Sequence, residues 1–481
     1  MKHLISVPPK CIPYFHKFTG YSPDNWFVSA DPEGQKVGSG GGTAFLFSEL
    51  WKKEEGGEFA TWLKNTQRIV IHAGGKSRRL PAYAPIGKSL MPMPVFRWSR
   101  GQALNQRLVN LQVPLFEKIL KKAPSKLNTL IASGDTLIFE GATLPEIPDA
   151  DIVCFGLWLE PEKATNHGVF FTSHESPAEL EFMLQKPSIG EIRKLIHQYY
   201  FLMDIGIWLL SPRAVRLLMK KSGWEGDSFQ NQIPADYDLY AQFGAAMGTN
   251  PSEQDEEIND LKVRLVNLEG GGFYHLGNTS ELISSNLAIQ NRVIDQREIW
   301  HKNIKPHPSI FVLNAKVGIS FNNENRNIWI ENSSVPASWS LSQNHAVTGV
   351  PDNNWDLNLP KGKCIDVVPL DGSSAIIRNY GFSDTFRGNW QDATTRFSEI
   401  PLLSWLKSHG LEEVFNNSGN NKDIQELPLF PVLTIKKLNP AFIQWLVDDL
   451  PSKNDAFSKL WKDSRRLSAD EICEVSNLQL V

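Results

Sequence analysis

Cysteine is scarce. Cys11, Cys154, Cys364 and Cys473 are spread over 481 residues with no CxxC spacing, which excludes a disulfide framework and a cysteine-built zinc site. Long apolar runs are missing too. No stretch reaches the roughly 18 apolar residues that a membrane span needs, and the longest candidate, FLMDIGIWLL, carries Asp204 near its middle. The N-terminus, MKHLISVPPKCIPYFHKF, has no apolar core followed by small residues, so it does not read as a signal peptide. Basic charge is not in excess. Lys and Arg number 49 against 53 Asp and Glu, for a net charge of −4, which is no footprint for nucleic acid. The expectation is a cytoplasmic protein with no membrane and no nucleic-acid partner. Any anion site must then be local.

What is present is a large core. With 41% hydrophobic residues the chain can fill two or three domains. From Trp26 to Asn286, WFVSA, RIVIH, LNTLIAS, DIVCFGLWL, LEFMLQ and GIWLL read as strands. Between them AFLFSELWKK, NLQVPLFEKILKKA and PRAVRLLMKK carry helical spacing. That alternation predicts an α/β domain, a mostly parallel sheet with helices on both faces. From His307 to Tyr380 short β-type pieces are separated by Asn, Ser, Gly and Pro. A small sandwich and a solenoid both fit, and a hexad-like recurrence favours a parallel β-helix. Beyond Glu399 the pattern turns helical again. The expected division is 1–300, 301–400 and 401–481.

Ligands of such sheets bind at the carboxyl ends of strands, so the turns that follow strands matter most. Two are glycine-rich. VGSGGGTAFLFSELW follows the WFVSAD strand and opens a helix; an ordinary turn and an anion-binding turn both fit it. RIVIHAGGKSRRLPAYAPIGK follows a buried strand with Gly74 and Gly75, then sets out Lys76, Arg78, Arg79 and Lys88 with no acidic residue among them. Backbone N–H groups at such a turn make an anion nest, and these cations suit a triphosphate. A solvated basic loop is the plainer alternative. Walker A is excluded, because Ala82 stands where the first glycine before Gly87-Lys88-Ser89 would be, and there is no GxGxxG.

AGGKSRRLP followed by GK resembles the signature loop of sugar-1-phosphate nucleotidyltransferases. Together with GSGGGT it resembles the fucose-1-phosphate guanylyltransferase family, specifically the guanylyltransferase part of bifunctional L-fucokinase/GDP-fucose pyrophosphorylases. The likeness runs through SGD, NHGVF, FMLQKPS, FLMDIGIWLLS, FYHLGNTSELISSNLAIQN and VTGVP, roughly from 26 to 380. It implies a Rossmann-like nucleotidyltransferase sheet, then a β-helix-like domain and a helical C-terminal segment.

The resemblance also implies roles. Gly38, Ser39, Gly40, Gly41, Gly42 and Thr43 of the first turn hold the nucleotide. So do Gly74, Gly75, Ser77 and Arg78 of the second, with Gly134. Arg79 and Lys88 stabilise the leaving pyrophosphate. Asp135, at a strand end, holds Mg²⁺, an ion usually bound through only one or two carboxylates. Asn166, His167, Gly168, Lys186, Asp204 and Gly206 receive the sugar phosphate, and Lys186 is also counted with the catalytic set. On residues alone, Asp135 also reads as a turn Asp, Asn166–Gly168 as a plain turn, and Asp204 as a buried, hydrogen-bonded carboxylate.

Two positions depart from the wider pattern. Gln185 stands where Glu usually precedes Lys-Pro, and His275 stands where a second metal-binding Asp is common. Asp236 and Asp238 are candidates for that second ligand, or equally a helix cap and first-turn acid. Trp329, Trp339 and Trp355 suit core packing better than sugar stacking.

The expected reaction joins GTP and β-L-fucose 1-phosphate into GDP-L-fucose and pyrophosphate. Its rivals are a pyrophosphorylase for another sugar phosphate or base, and a catalytically silent sugar-nucleotide sensor. The kinase loop of the bifunctional relatives, of PxxxGLGSS type, is absent. The chain is therefore expected to be part of a longer parent carrying a fucokinase domain, or a single-function relative, and to lack fucokinase activity.

Overall fold

The computed structural model describes all residues except 33, 95–105, 142, 293–306, 416–421, 453 and 479–481. The boundary expected at 300–301 lies outside them. The chain divides into two compact units, 1–75 with 107–274, and 76–106 with 275–481.

The first unit is built on a nine-stranded sheet. Its strands are β1 (Lys2–Ser6), β2 (Trp26–Ser29), β3 (Arg68–His72), β4 (Thr129–Ser133), β5 (Ile152–Leu157), β6 (Gly168–Ser173), β7 (Phe182–Gln185), β8 (Tyr199–Leu210) and β9 (Val263–Asn267). The order is β9-β5-β8-β4-β3-β1-β2, with β6 paired to β8 and β7. Strands β2, β1, β3 and β4 run parallel, in the register Ser29–Ser6–His72–Ser133. Their carboxyl ends therefore form one edge.

Val70 sits in the core cluster with Leu4 and Ile131, while its neighbours Ile69 and Ile71 point to the opposite face and are equally buried. Both faces are covered, as the unbroken apolar run Ile69–Ile71 requires. On the Val70 face pack α1 (Gly38–Lys53) through Ala44, Phe47 and Leu50, and α2 (Pro212–Lys221) through Ala214, Val215 and Leu218. Those positions follow the three-and-four spacing of a helix stripe.

The sheet is less parallel than expected. Strand β8 runs antiparallel to β4, β5 and β6, and β6 to β7. The chain enters β8 from the antiparallel β6–β7 pair rather than through a long crossover helix, which reverses its direction. Strand β1 was not expected; Lys2 and His3 hide its apolar half.

Beyond residues 76–106, the second unit contains α3 (Thr279–Asn291), followed by a parallel stack of β10 (Ile310–Leu313), β11 (Arg326–Glu331), β12 (Gln343–Thr348) and β13 (Lys363–Pro369). Phe311 lies beside Trp329 and Trp329 beside Ala346. Asparagines mark the corners. Asn314 and Asn332 have φ of 45° and 48°, and the first donates to the second at 2.7 Å over a separation of 18 residues. Asn327 and Asn344 repeat the arrangement at 2.9 Å. Asn tolerates this left-handed conformation better than most residues, which explains the Asn-rich spacing. Trp329, Trp339 and Trp355 are all buried. The stack ends in antiparallel β14 (Ser374–Gly381) and β15 (Phe430–Thr434). Helices Leu402–Ser408, Pro440–Val447, Asp455–Asp463 and Ala469–Val475 complete the unit. No helix among the described residues is long and apolar enough to cross a membrane.

Candidate functional site

In the first unit, the edge formed by Ser6, Ser29, His72 and Ser133 gathers most of the expected residues. Gly134 N–H donates to His72 O at 2.9 Å, closing the turn after β4. Ser133 Oγ donates to Asp135 Oδ1 at 2.7 Å and orients that carboxylate. Gly206 has φ +71°, and a Cβ there would lie 3.0 Å from Ser133 Cβ. A Cβ on Gly168 would lie 3.1 Å from Gln185 Oε1 and 3.3 Å from Asp204 Cβ. Lys186 N–H donates to His167 O at 3.0 Å. The segments Asn166–Gly168, Gln185–Lys186, Asp204–Gly206 within β8, and Ser133–Asp135 thus form one contiguous strip. Lys186 is exposed and holds φ +53°, an uncommon conformation for a side-chain-bearing residue and one that concentrates at binding sites.

Asp204 is buried. It accepts from Gly206 N at 2.8 Å and Trp208 Nε1 at 3.1 Å. Burial pushes its pKa up to about 7, against the pull of those two bonds. Its lone pairs face its own strand, so it shapes the backbone of β8 at Gly206. The buried Tyr240 hydroxyl is pushed well above its ordinary range by burial, helped by the charges of Asp204 and Asp135.

No group of three or more His, Cys, Asp or Glu residues suited to a metal occurs among the described residues. A single strand-end carboxylate still fits Mg²⁺, which keeps several waters and takes its remaining oxygens from substrate phosphates. Asp135 has that character. Asp238 is a cap: its Oδ1 accepts from Tyr240 N and Ala241 N at 2.8 and 2.7 Å. Asp236 pairs with Lys36 at 3.2 Å on the surface.

The first glycine turn differs from expectation. Its glycines lie inside α1, not in an open loop. Gly40 N and Gly41 N both donate to Tyr237 O, at 2.8 and 3.0 Å, so these donors are not turned to an anion. A Cβ on Gly41 would come 2.6 Å from Ala235 O, and one on Gly40 2.9 Å from Tyr237 O. Gly38 is equally close to Tyr237 and has φ +65°. Ser39 Oγ accepts from Leu239 N at 2.8 Å. Thr43 Oγ1 donates to Ser39 O at 2.9 Å and meets His72 Nε2 at 2.6 Å. With the hydroxyl proton so used, His72 Nε2 is the donor. Burial lowers the His72 pKa to about 4, against a smaller opposite effect of Asp238, so the ring is neutral at pH 7. These glycines serve close packing of helix on loop. Gly42 alone faces another feature, Asp31, which the sequence reading passed over. Its signal was a carboxylate just beyond a strand end.

In the second unit, the remainder of the signature loop is acid-free only in local sequence. Lys76 Nζ pairs with Asp470 at 2.7 Å and Arg78 with Asp423 at 3.4 Å. The Pro81 carbonyl accepts from Arg378 Nη2 at 2.6 Å, and Arg378 is ion-paired with Asp366 at 2.6 Å, both fully buried. Asp366 also accepts from Thr348 Oγ1 at 2.6 Å. Tyr83 donates to Glu331, which also accepts from Trp329 Nε1 at 3.1 Å. Arg79 O accepts from Thr279 N at 3.2 Å. Gly87, at φ +76°, leads into the short turn Lys88–Leu90. His275 Nδ1 lies 2.8 Å from Glu281, which also accepts from Gly277 N at 2.9 Å. Burial alone would raise the Glu281 pKa; the His275 bond and neighbouring charges outweigh it and lower it.

Residues 60–435 match the family described as the fucose pyrophosphorylase domain. The chain is 45% identical over 480 residues to the L-fucokinase/L-fucose-1-P guanylyltransferase of Bacteroides fragilis, covering 100% of this chain and 50% of that protein. It is 26% identical over 513 residues to the bifunctional fucokinase/GDP-fucose pyrophosphorylase of Arabidopsis thaliana, covering 92% of this chain and 47% of that protein. The chain thus spans about half the length of these relatives. A solved structure titled mannose-1-phosphate geranyltransferase, from Thermus thermophilus, aligns with 66% of this chain and 95% of its own, at 14% identity and a TM-score of 0.36, too low to support an argument.

Proposed function

The chain belongs to the fucose pyrophosphorylase family, and from that premise we propose that it transfers GMP from GTP to β-L-fucose 1-phosphate, giving GDP-L-fucose and pyrophosphate. The observation that carries the reading is identity of 45% across the whole chain to a relative named for that guanylyltransferase. The strip from Asn166 to Asp135 at the strand ends supports it.

A sugar phosphate has a second pKa of about 6 and is largely dianionic at pH 7, so it needs no protein base. One of its oxygens attacks the α-phosphorus of GTP; the bond from that phosphorus to the bridging oxygen breaks, and pyrophosphate leaves in line with both electrons of that bond. The protein's part is positioning and charge neutralisation. Lys186, at the strip, orients the nucleophile's phosphate. Arg79 and Lys88 take up charge on the leaving pyrophosphate. Gly74 and Gly75 present backbone to the nucleotide, whereas Gly134 spends its N–H on His72 O. Bound through Asp135, Mg²⁺ would supply neutralising charge beside the α-phosphate.

The same reading places the enzyme in the cytoplasm and treats the parallel stack of the second unit as β-helix-like. It lets a fucokinase in a longer parent supply the sugar phosphate. The test is pyrophosphate release with Mg²⁺ from GTP plus β-L-fucose 1-phosphate, with UTP, ATP and mannose 1-phosphate as parallel partners. Release confined to the GTP and fucose 1-phosphate pair is expected. Release with another pair changes the substrate, and release with none, from folded protein that binds GTP, shifts the reading to a sensor.

A further inference from the structure

Strand β2 ends at Ser29 and hands the chain to Asp31, beyond the same sheet edge as Ser6, His72 and Ser133. A Cβ built on Gly74 would lie 2.8 Å from Asp31 Oδ2 and 3.0 Å from Ser6 Oγ. One built on Gly42 would lie 3.3 Å from Asp31 Oδ1. The two oxygens of a single carboxylate therefore rest one against each glycine-bearing turn, where larger residues would displace them. No cation and no hydrogen-bond donor partners this carboxylate among the described residues. Asp31 is exposed, and partial desolvation of its carboxyl raises its pKa.

Unless a cation bridges them, as Mg²⁺ would at Asp135, an acceptor-only group is repelled by phosphate oxygens. Asp31 suits the part of a nucleotide that donates. Guanine presents two adjacent donors, N1–H and N2–H, which match the two oxygens of a carboxylate. Adenine sets an acceptor, N1, beside its amino group. Cytosine does the same with N3, and uracil flanks its single N–H with carbonyls. We propose that Asp31 selects guanine, by accepting from N1–H and N2–H of the base. It rests on the guanylyltransferase reading and names the residue that makes the nucleotide GTP.

Asparagine in place of aspartate keeps the shape and offers one acceptor and one donor. That pair suits xanthine, which keeps N1–H and carries a carbonyl at C2. The experiment compares wild-type protein with Asp31→Asn, using GTP, ITP, XTP, ATP and UTP with β-L-fucose 1-phosphate. It reads kcat/KM by pyrophosphate release, nucleotide Kd by calorimetry, and Tm. Losing one hydrogen bond to a charged group costs about 10- to 100-fold in discrimination. Wild type should prefer GTP over ITP, which lacks the 2-amino group, by about 10-fold. Asp31→Asn should lose about 100-fold with GTP and favour XTP over GTP, at unchanged Tm. A variant that keeps wild-type preference for GTP over XTP overturns the proposal. So does an equal loss with all five nucleotides, which would put the ribose, not the base, against Asp31. Calorimetry separates the two readings: if no pair turns over, the activity fails, while an exchange of GTP for XTP in Kd still upholds Asp31.

Discussion

The two glycine-bearing turns look alike in sequence and are held in opposite ways. In the first, Gly38, Gly40 and Gly41 are packed against the backbone of Ala235–Tyr237, and their missing side chains are what allow that approach. In the second, no described atom lies within 4 Å of a Cβ on Gly75; of the cations that follow, Lys76 is tethered by Asp470 and Arg78 by Asp423, while Arg378 holds the Pro81 carbonyl, each some 300 to 400 residues along the chain. Glycine enrichment after a strand therefore has two physical meanings, backbone packing and open approach. Only the surroundings tell them apart.

Removing the buried tether should have the largest effect. Arg378→Met leaves Asp366 as an unpaired buried carboxylate and frees the Pro81 carbonyl, at a cost of about 3–5 kcal/mol in chemical denaturation. An unchanged midpoint would mean that the second turn holds itself, as the first does. Lys88→Ala should lower turnover by about 10²–10³-fold while stability changes by less than about 1 kcal/mol. Unfolding with full activity per folded molecule would make Lys88 structural instead.

The first turn should also respond to pH. His72 has its folded pKa lowered to about 4, so its contribution is complete above the unfolded value of 6.5 and is lost as pH falls from there towards 4. Between pH 7 and pH 5, His72→Gln should lose less stability than wild type, by about 1–2 kcal/mol. Equal losses in the two proteins would show that His72 is not the group being protonated. The smallest effect belongs to the partly exposed pair of Arg78 and Asp423. Asp423→Asn should change stability by under about 1 kcal/mol and tighten GTP binding, because Arg78 then has no competing carboxylate. Weaker binding would show that Asp423 helps to present the loop.

Strands such as RIVIH and DIVCFGLWL were legible because a strand buried on both faces is written as an unbroken apolar run. The direction of β8 was not, since period-2 patterning is the same for parallel and antiparallel strands. Lys186 and Asp135 could be picked out because each follows a strand, whereas Asp204 and Gly206 lie within β8 and were marked only by the family resemblance. Their convergence could not be picked out, because Gly168, Gln185 and Asp204 meet only through the pairing of β6, β7 and β8. The work of Gly40 and Gly41 was hidden for a similar reason: their partner, Tyr237, lies nearly 200 residues away. Asp31 follows a strand, but nothing local sets it apart from other carboxylates, and its approach to both glycine segments is a property of the folded edge.

The most direct test of the contrast puts one alanine in each turn. It measures GTP affinity and Tm for Gly41→Ala and Gly75→Ala beside wild type. The first should lower Tm, because its new methyl meets Ala235 O. The second should leave Tm unchanged and weaken GTP by about 10-fold or more, its methyl standing where phosphate approaches backbone. A Gly75→Ala protein that binds GTP as tightly as wild type would contradict the account.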